Sequence, residues 1–494
     1  MLNKYLKVDY TDEIRETLIL PDFWELTEPC DWKAINYLSD LYTKSGKVAM
    51  KRFYEVADNF KSSGIKQKSA KAILKASMMQ EVAHEEDERV QKKLKISVAT
   101  SSDDDRSVMS GSDVEEDQTE SRKNIWQDWK EFLNNAQNNK YLPSLSPEKH
   151  GVIWYGIDLR RRSSLPEDLY TRIGYETTAI KQYNISDSYK EAIKNIIQST
   201  DRNHMLESIE VLRSAEGSAV EKKALVDIFM LFGEEIYDNV GDTLSESEAC
   251  LNCNLIKPCL QVCSRMLRNK NYDITYIPGE IELTSMTEQL SKQGLLDNRF
   301  KYYADGKIRI NADKQELLLL EVSSALGQAT QDKIAFDHTK AMFGLLAILK
   351  TLACKYNHGS FESFKKIKFH FIHVHGQAVK HWTMMTPEPG VYIMTKEQKA
   401  TIPVNINSMA DDLISYVRFH LNLTELLRET LDSIEGLQKE HRSQLQEVTI
   451  NNKHVSAETL LSSVVKPVII RLNEGKHSKE VVDSPRSSSN SPQR

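Results

Sequence analysis

The chain has 494 residues and a formal net charge of −6, from 65 basic and 71 acidic residues. That length predicts two to four domains of ordinary size, and the near balance of charge argues against a protein that coats nucleic acid with its whole surface. Six cysteines in so long a chain are too few for a disulfide framework and favour a reducing compartment. The N-terminus has no apolar run typical of a secretory signal, and no segment has the ~20 apolar residues of a membrane span. We therefore expect an intracellular protein of the cytoplasm or nucleus, with no membrane attachment.

The first two segments differ sharply in composition. Residues 1–96 are charged and carry apolar residues at helical spacing, which predicts a helical N-terminal region. Residues 97–122 form an acidic, serine-rich linker: between 101 and 121 there are eight acidic residues and one arginine. Such a segment cannot bury enough apolar surface to offset its ordering entropy, so we expect it to be disordered. Its serines fit either a solvating linker or a set of phosphorylation sites.

The next segment, 123–239, predicts a second helical region. Trp126, Trp129 and Phe132 form an apolar stripe near its start. The three consecutive arginines at 160–162 fit three interpretations, namely a solvated loop, a kinase target or a basic patch for nucleic acid.

Residues 240–447 change to a pattern of mixed helices and strands, so we expect an α/β (α+β) core there, closed by a long helix. A short helical extension at 448–474 and a disordered Ser/Pro tail at 475–494 follow. The predicted helices span 244–267, 328–356 and 409–448. The predicted strands span 273–277, 302–310, 317–322, 367–375, 378–385, 390–395 and 401–404, with a turn at 397–399.

Two carboxylates stand out within this core. Asp305 and Glu321 lie near the ends of two apolar strands that the polar break at 311–315 would fold side by side. Carboxylates that meet at the edge of a sheet, with lysines on the following helix, predict a site for Mg²⁺ or Mn²⁺.

The same stretch resembles a known family. It reads Ala304-Asp305-Gly306, then Leu319-Leu320-Glu321-Val322-Ser323, then Lys333-Ile334-Ala335-Phe336-Asp337-His338-Thr339-Lys340 with Phe343-Gly344 after it. This is similar to the signature ADG…LLEVS…KISFDHxKxxFG of a group of fungal proteins. The order of helix, strands, acidic strand pair, helix and strand over 240–405 resembles the PD-(D/E)XK nuclease-like fold. The resemblance implies a restriction-endonuclease-like mixed sheet.

The resemblance also implies roles for individual residues. Asp305 and Glu321 would be the carboxylates that bind the metal, and Glu248 on the preceding helix would assist, with Glu246 as the weaker candidate for that place. The family has a lysine two positions after the glutamate, where this chain has Ser323. A serine neither stabilises charge that develops on phosphate nor lowers the pKa of an attacking water.

The following helix offers a replacement for that lysine. Lys333, Asp337 and Lys340 fall at i, i+4 and i+7, so they share one face of the helix. Lys333 or Lys340 would then supply the cation and Asp337 a third carboxylate. The alternative is a row of ion pairs on the surface of an amphipathic helix.

Two other clusters of metal-binding residue types are weaker. Cys250, Cys253, Cys259 and Cys263 have ligand-like spacing, but on one continuous helix the two pairs lie on nearly opposite faces. We therefore expect buried structural thiols and no zinc, although a break at Pro258 would permit convergence. His373 and His375 share a strand face without a nearby carboxylate, which favours packing over metal binding.

These observations favour a nuclease-like protein that hydrolyses phosphodiester bonds with a metal ion, acting on nucleic acid. The alternative is a catalytically inactive fold that serves as an intracellular interaction or scaffold protein, with protein partners bound by the helical arms. The leucines at 423, 427, 431 and 437 of the closing helix fit either a seam for a second copy or docking on the core.

Overall fold

The computed structural model describes residues 124–472, apart from 177–179, 241–242, 296–300, 329, 405, 407–408 and 452–455. All of these residues belong to one compact unit, Thr119–Arg494. The predicted helical region 1–96, the acidic linker 97–122 and the Ser/Pro tail 475–494 lie outside the described residues.

Helices dominate the first part of the described chain and surround a sheet in the second. The helices are α1 Ile125–Gln137, α2 Glu167–Glu176, α3 Lys190–Ile197, α4 Arg202–Ser214, α5 Ala219–Met230, α6 Glu248–Leu251, α7 Lys257–Asn269, α8 Thr284–Lys292, α9 Gln331–Lys355, α10 Phe361–Phe364, α11 Met409–Asn451 and α12 Leu461–Val464. Single 3-10 turns lie at Pro147–His150, Asp187–Tyr189 and Ala457–Thr459, and π-helical segments at Leu231–Val240 and Asn252–Ile256. None of the described helices is both long and apolar enough to cross a membrane.

Seven strands form one mixed sheet. They are β1 Val152–Gly156, β2 Ile274–Glu282, β3 Tyr303–Ile310, β4 Glu316–Val322, β5 Phe369–His375, β6 Ala378–Glu388 and β7 Val391–Thr401. Their order across the sheet is β1-β7-β6-β5-β4-β3-β2. The pairs β1–β7 and β4–β5 are parallel, and the other four are antiparallel. The predicted mixed α/β core is therefore confirmed.

Strand β4 lies inside the sheet, between β5 and β3, and its sequence is apolar without alternation. Its residues are all buried, as expected when both faces of a strand are covered. The turn between β3 and β4 falls in the predicted break at 311–315, where Lys314 has φ +60°. Strand β5 returns parallel to β4 after the crossover helix α9, so α9 packs across one face of the sheet.

Three local predictions were wrong. The segment 397–399 is not a turn: it lies inside β7, which runs unbroken over Val391–Thr401, because its residues pair with β6 in the register Lys380↔Lys399 and His381↔Gln398. Strand β1 lies in a region for which the sequence predicts helices, and it joins the sheet beside β7. The predicted helix 244–267 is divided into α6, a π-helical segment and α7.

The closing helix α11 docks on the core. Its leucines at 423, 427, 431 and 437 are all buried within the chain. These side chains are covered by this chain, so they do not form an exposed stripe. The other interpretation of the stripe, docking on the α/β core, agrees with the structure.

Two glycines in helices provide a test of how closely α9 approaches the sheet. A Cβ atom on Gly344 of α9 would lie 2.9 Å from Tyr302 Cε1 and 3.0 Å from Leu283 Cδ2, whereas one on Gly436 of α11 would meet no atom within 4 Å. Alanine favours helix over glycine by about 0.5–1 kcal/mol, but overpacking a core costs about 1–3 kcal/mol. We expect Gly436→Ala to raise the free energy of unfolding and Gly344→Ala to lower it, in urea titrations followed by tryptophan fluorescence. A stabilising Gly344→Ala would contradict this packing.

Candidate active site

The β3–β4 hairpin brings the two predicted carboxylates together. Strands β3 and β4 pair in the register Gly306↔Leu320, which sets Asp305 opposite the end of β4. The Asp305 carboxylate accepts a hydrogen bond from the Val322 N–H, with 2.6 Å between Oδ2 and N. The neighbouring Glu321 is 3 % exposed. Because both side chains are fixed by the same hairpin, their proximity follows from the local strand pairing.

Glu321 is held by two partners. The Tyr302 hydroxyl donates to Glu321 Oε1 at 2.7 Å, and the Lys340 ammonium donates to Oε2 at 3.1 Å. Lys340 Nζ also lies 4.6 Å from the centre of the Tyr302 ring, within the range of a cation–π contact. Helix α9 therefore places a lysine ammonium directly against the Glu321 carboxylate.

Ser323 has a structural role at the end of β4. Its hydroxyl donates to Asp337 Oδ2 at 2.7 Å and lies 2.8 Å from His373 Nε2. Because the hydroxyl proton is used toward Asp337, the imidazole is the donor in the second contact. Ser323 thus connects α9 to β5 and does not replace the missing cation.

The predicted helix glutamate reaches the edge of the same cluster. Glu248 forms an ion pair with Lys333, and both side chains are more than a third exposed. Glu246 is exposed in the turn before α6, so Glu248 is the residue that joins the cluster. Lys333 and Lys340 therefore have different positions: Lys333 lies at the solvent-facing edge and Lys340 against Glu321.

The cluster carries more negative than positive charge. Four carboxylates, those of Glu248, Asp305, Glu321 and Asp337, surround two lysines, Lys333 and Lys340. Burial raises the pKa of Glu321 to about 8, although Lys340 opposes the shift, and burial raises the pKa of Asp337 to about 6. The pKa of Asp305 is also raised by burial. Burial lowers the pKa of Lys340, but Glu321 and Asp337 outweigh that effect and raise it. A further positive charge at this cluster would therefore be electrostatically favourable.

The donor chemistry fits a hard divalent cation. Within the described residues, no group of three or more His, Cys, Asp or Glu side chains is arranged to hold a metal ion. Mg²⁺ requires fewer protein ligands than that, because it keeps several waters and is bound by one or two carboxylates. Asp305 and Glu321 supply such a pair in a cluster with excess negative charge. These residues would hold the cation, with Glu248 at the open side.

The four cysteines considered as zinc ligands lie in two different environments. Cys259 and Cys263 are buried and packed under α11, where the Cys263 thiol donates to the His420 carbonyl oxygen at 3.4 Å, and burial raises its pKa to about 12. Cys250 is partly exposed and Cys253 is exposed, and no metal-holding group that includes them is present in the described part of the chain.

The arginine loop at 160–162 is occupied by contacts within the chain. Arg162 forms an ion pair with the buried Glu148 at 2.7 Å and lies 5.0 Å from the centre of the Trp154 ring. Arg161 donates to the Leu165 carbonyl oxygen and pairs with Glu167. Two of the three arginines therefore fix the loop between β1 and α2, which leaves little of it for a basic patch.

Several residues of the site were not predicted. Tyr302 directly precedes β3 in a pattern that reads as ordinary strand, and its partner Glu321 is 19 residues away. A second buried ion pair joins Lys307 and Glu316 at 2.7 Å, and Glu316 also accepts hydrogen bonds from the N–H groups of Thr284 and Ser285 at the start of α8. The sequence signal for the Lys307–Glu316 pair was slight: a charged residue inside each of two apolar strands.

Comparisons with protein families, with curated proteins and with solved structures found no match to this chain.

The raised pKa of Asp337 predicts a pH dependence of stability. A folded-state pKa of about 6, above the ordinary value of 3.8, means that the stabilising contribution is present at low pH and is lost as the pH rises through 6. Asp337→Asn removes this titration and can still accept the hydrogen bond from Ser323. We expect the stability of Asp337→Asn relative to wild type to increase by about 1–2 kcal/mol between pH 5 and pH 7.5.

Urea titrations of the full chain at the two pH values measure this difference. Asp332→Asn is the matched control, because Asp332 lies exposed in the first turn of the same helix. Equal changes with pH in the two variants would contradict the assignment.

Proposed function

We propose that this chain is a nuclease-like protein of PD-(D/E)XK type that hydrolyses phosphodiester bonds with Mg²⁺ or Mn²⁺. The observation that carries the proposal is the contact between Lys340 and Glu321 beside Asp305. The resemblance requires two carboxylates and a lysine at one sheet edge, and Ser323 removes the lysine from its usual position. Lys340 of the following helix places an ammonium group against Glu321 and would take the part of that lysine.

The topology supports the same proposal. Helix α7 is followed by β2, by α8, and by the hairpin β3–β4, and these three strands are antiparallel neighbours. The crossover helix α9 and the short helix α10 then lead to β5, which is parallel to β4. Apart from α8 and α10, this is the order of helix, strands, acidic strand pair, helix and strand on which the resemblance rests. The acidic residues lie on the second and third strands of that series.

The residues of the cluster divide the chemistry between them. When bound, a divalent cation supplies Lewis-acid polarisation of the phosphoryl oxygen. Asp305 and Glu321 would hold it, and Glu248 would assist from the solvent-facing edge. Lys340, fixed by Glu321 and Tyr302, offers a preorganised positive charge toward the phosphoryl group as negative charge develops there. Lys333, at the open side, would orient the incoming strand or water.

One observation favours the second candidate, a catalytically inactive fold that serves as an interaction protein. Both oxygens of Glu321 already accept hydrogen bonds, and the residue is 3 % exposed. A buried carboxylate whose oxygens accept hydrogen bonds from a tyrosine and a lysine is satisfied without a metal ion. The two candidates therefore differ in whether Glu321 binds a metal ion in addition to the Tyr302 hydroxyl and the Lys340 ammonium.

A titration of the full chain with Mg²⁺ and with Mn²⁺ distinguishes them. Thermal unfolding and cleavage of labelled single-stranded and double-stranded DNA and RNA are followed in the same samples. A ligand that binds only the folded state at a hundred times its Kd stabilises by about 2.7 kcal/mol, which raises Tm by a few degrees. We expect both the rise in Tm and cleavage in the wild type, and neither in Asp305→Asn or Glu321→Gln. Lys340→Gln should keep the rise in Tm and lose activity by about a hundredfold or more.

The exposed ion pair between Glu435 and Lys439 on α11 supplies matched controls. Glu435→Gln and Lys439→Gln make the same chemical changes far from the site in sequence and should behave as wild type. Metal-independent Tm together with no cleavage in the wild type would reject the nuclease proposal in favour of the inactive fold. Cleavage that survives in Asp305→Asn would reject the assignment of these residues.

A further inference from the structure

Three lysines meet on the sheet face that carries the carboxylate cluster. They are Lys380 of β6 and Lys396 and Lys399 of β7, here called the lysine row. Residues directly paired on neighbouring strands point to the same face. The register runs Glu321↔His373 between β4 and β5, then His373↔Lys380, then Lys380↔Lys399. The lysine row therefore continues the line of side chains that begins at Glu321.

Lys396 belongs to this row through the next pair of the same strands. It lies opposite Trp382, two residues beyond Lys380 on β6, after a register shift between His381 and Trp382. On its other side it pairs with Gly156, the last residue of β1. The row thus occupies the end of the sheet where β5, β7 and β1 finish.

In the part of the chain that the structure describes, the lysine row lacks the carboxylate partners that several other buried and partly buried lysines have. Lys307, Lys340 and Lys368 each form an ion pair with a carboxylate at 3.1 Å or less. Within the described residues, no carboxylate lies within 4.0 Å of the ammonium groups of the lysine row, and Asp158 is the one acidic residue that attracts Lys396. Lys396 is only 4 % exposed. The carbon chain of a lysine can be buried in this way while its ammonium reaches solvent, where an anion can meet it.

Among the described residues, the surroundings of Lys380 also contain no negative charge that balances its ammonium group. Its ammonium donates to His375 Nε2 at 2.9 Å, so that imidazole is neutral and contributes no compensating charge. Burial, with help from Lys396 and Lys399, lowers the pKa of Lys380 to about 8, and burial also lowers the pKa of Lys396. Like charges gathered in a partly buried place are unfavourable unless an anion joins them.

We infer that the lysine row, Lys380, Lys396 and Lys399, is a binding site for a phosphate group. Ammonium groups are point-like donors that suit the several oxygens of a phosphate, and the three side chains come from two paired strands that hold them in place. A phosphate on a nucleic-acid backbone and a free phosphate share this chemistry. Binding by the row does not depend on hydrolysis at Asp305 and Glu321, so it stands whether or not the proposed nuclease function does.

The row also has a physical connection to the carboxylate cluster. His375 packs against His373 with 4.7 Å between ring centres, and His373 is bonded to Ser323, which is bonded to Asp337. The sequence Asp337, Ser323, His373, His375, Lys380 is therefore a continuous chain of contacts. If the nuclease proposal is correct, the row would hold a phosphate that flanks the bond to be cleaved.

Binding without metal and without cleavage tests the inference. Two probes are used at pH 6.5. Binding of inorganic phosphate is measured by the change in Tm of the protein, and binding of a fluorescent single-stranded oligonucleotide is measured by fluorescence anisotropy. The full chain is used as wild type and as Asp305→Asn. Because we expect no cleavage by Asp305→Asn, its anisotropy reports binding alone. We expect Lys399→Gln to weaken oligonucleotide binding about tenfold and to reduce the slope of log Kobs against log salt by about 0.7, the value for one phosphate contact on a single strand.

Lys399 is exposed, so its substitution tests binding without risk to the fold, and Lys380→Gln and Lys396→Gln extend the series. Lys439→Gln, which removes an exposed charge on α11, is the control and should leave both affinity and slope unchanged. Binding of the oligonucleotide and of phosphate, each weakened by Lys399→Gln, supports the site; binding of phosphate alone supports a site for a free phosphate. Equal affinity in Lys399→Gln and Lys439→Gln, or no binding of either probe by the wild type, overturns it.

Discussion

The contact between Lys340 and the buried carboxylate of Glu321 is the constraint on which the rest of the core depends. A carboxylate at the end of a fully buried strand is costly unless an opposite charge lies beside it. Lys340 can reach this carboxylate only if α9 has one position along the strands and one rotation about its own axis. The close approach of α9 to Tyr302 and Leu283 at Gly344 permits that position. After α9 and the short helix α10, β5 pairs parallel with β4.

Burying several ionisable groups on the two faces of one sheet gives the protein opposing responses to pH. Carboxylates with raised pKa values favour the folded state in acid, whereas buried histidines with lowered pKa values, such as His338, His370 and His373, oppose it there. The unfolded chain takes up protons on those histidines below about pH 6.5. Net stability across the neutral range is therefore a balance between two sets of groups on the same sheet.

The sequence predicted the parts of the site that depend on local periodicity. Asp305 and Glu321 follow from two apolar strands and a polar turn between them, and the common face of Lys333, Asp337 and Lys340 follows from helical spacing. The contacts of Tyr302 with Glu321, and of Ser323 with His373, join residues 19 and 50 positions apart. No periodic pattern encodes such distances.

The errors have the same origin. The charged and polar residues at 397–399 are typical of a turn. In the structure, however, β7 pairs with β6 there, and the buried Glu397 accepts hydrogen bonds from Lys368 and Thr383. Tertiary partners therefore override local propensity in this segment. The short apolar run of β1, surrounded by helical sequence, became a strand for the same reason: β7 offered it an unpaired edge.

That last pairing has a practical consequence for how the protein is cut into pieces. Strand β1 covers the outer side of β7, and α1 packs over both through Trp129, which is buried together with Ile153 and Ile393. A fragment that begins near residue 240 would carry every residue of the carboxylate cluster but would expose the backbone N–H and C=O groups of β7. Bare edges of this kind recruit other strands, so such a fragment would aggregate by edge-to-edge pairing. Shortened forms suited to crystallisation should therefore start before Ile125.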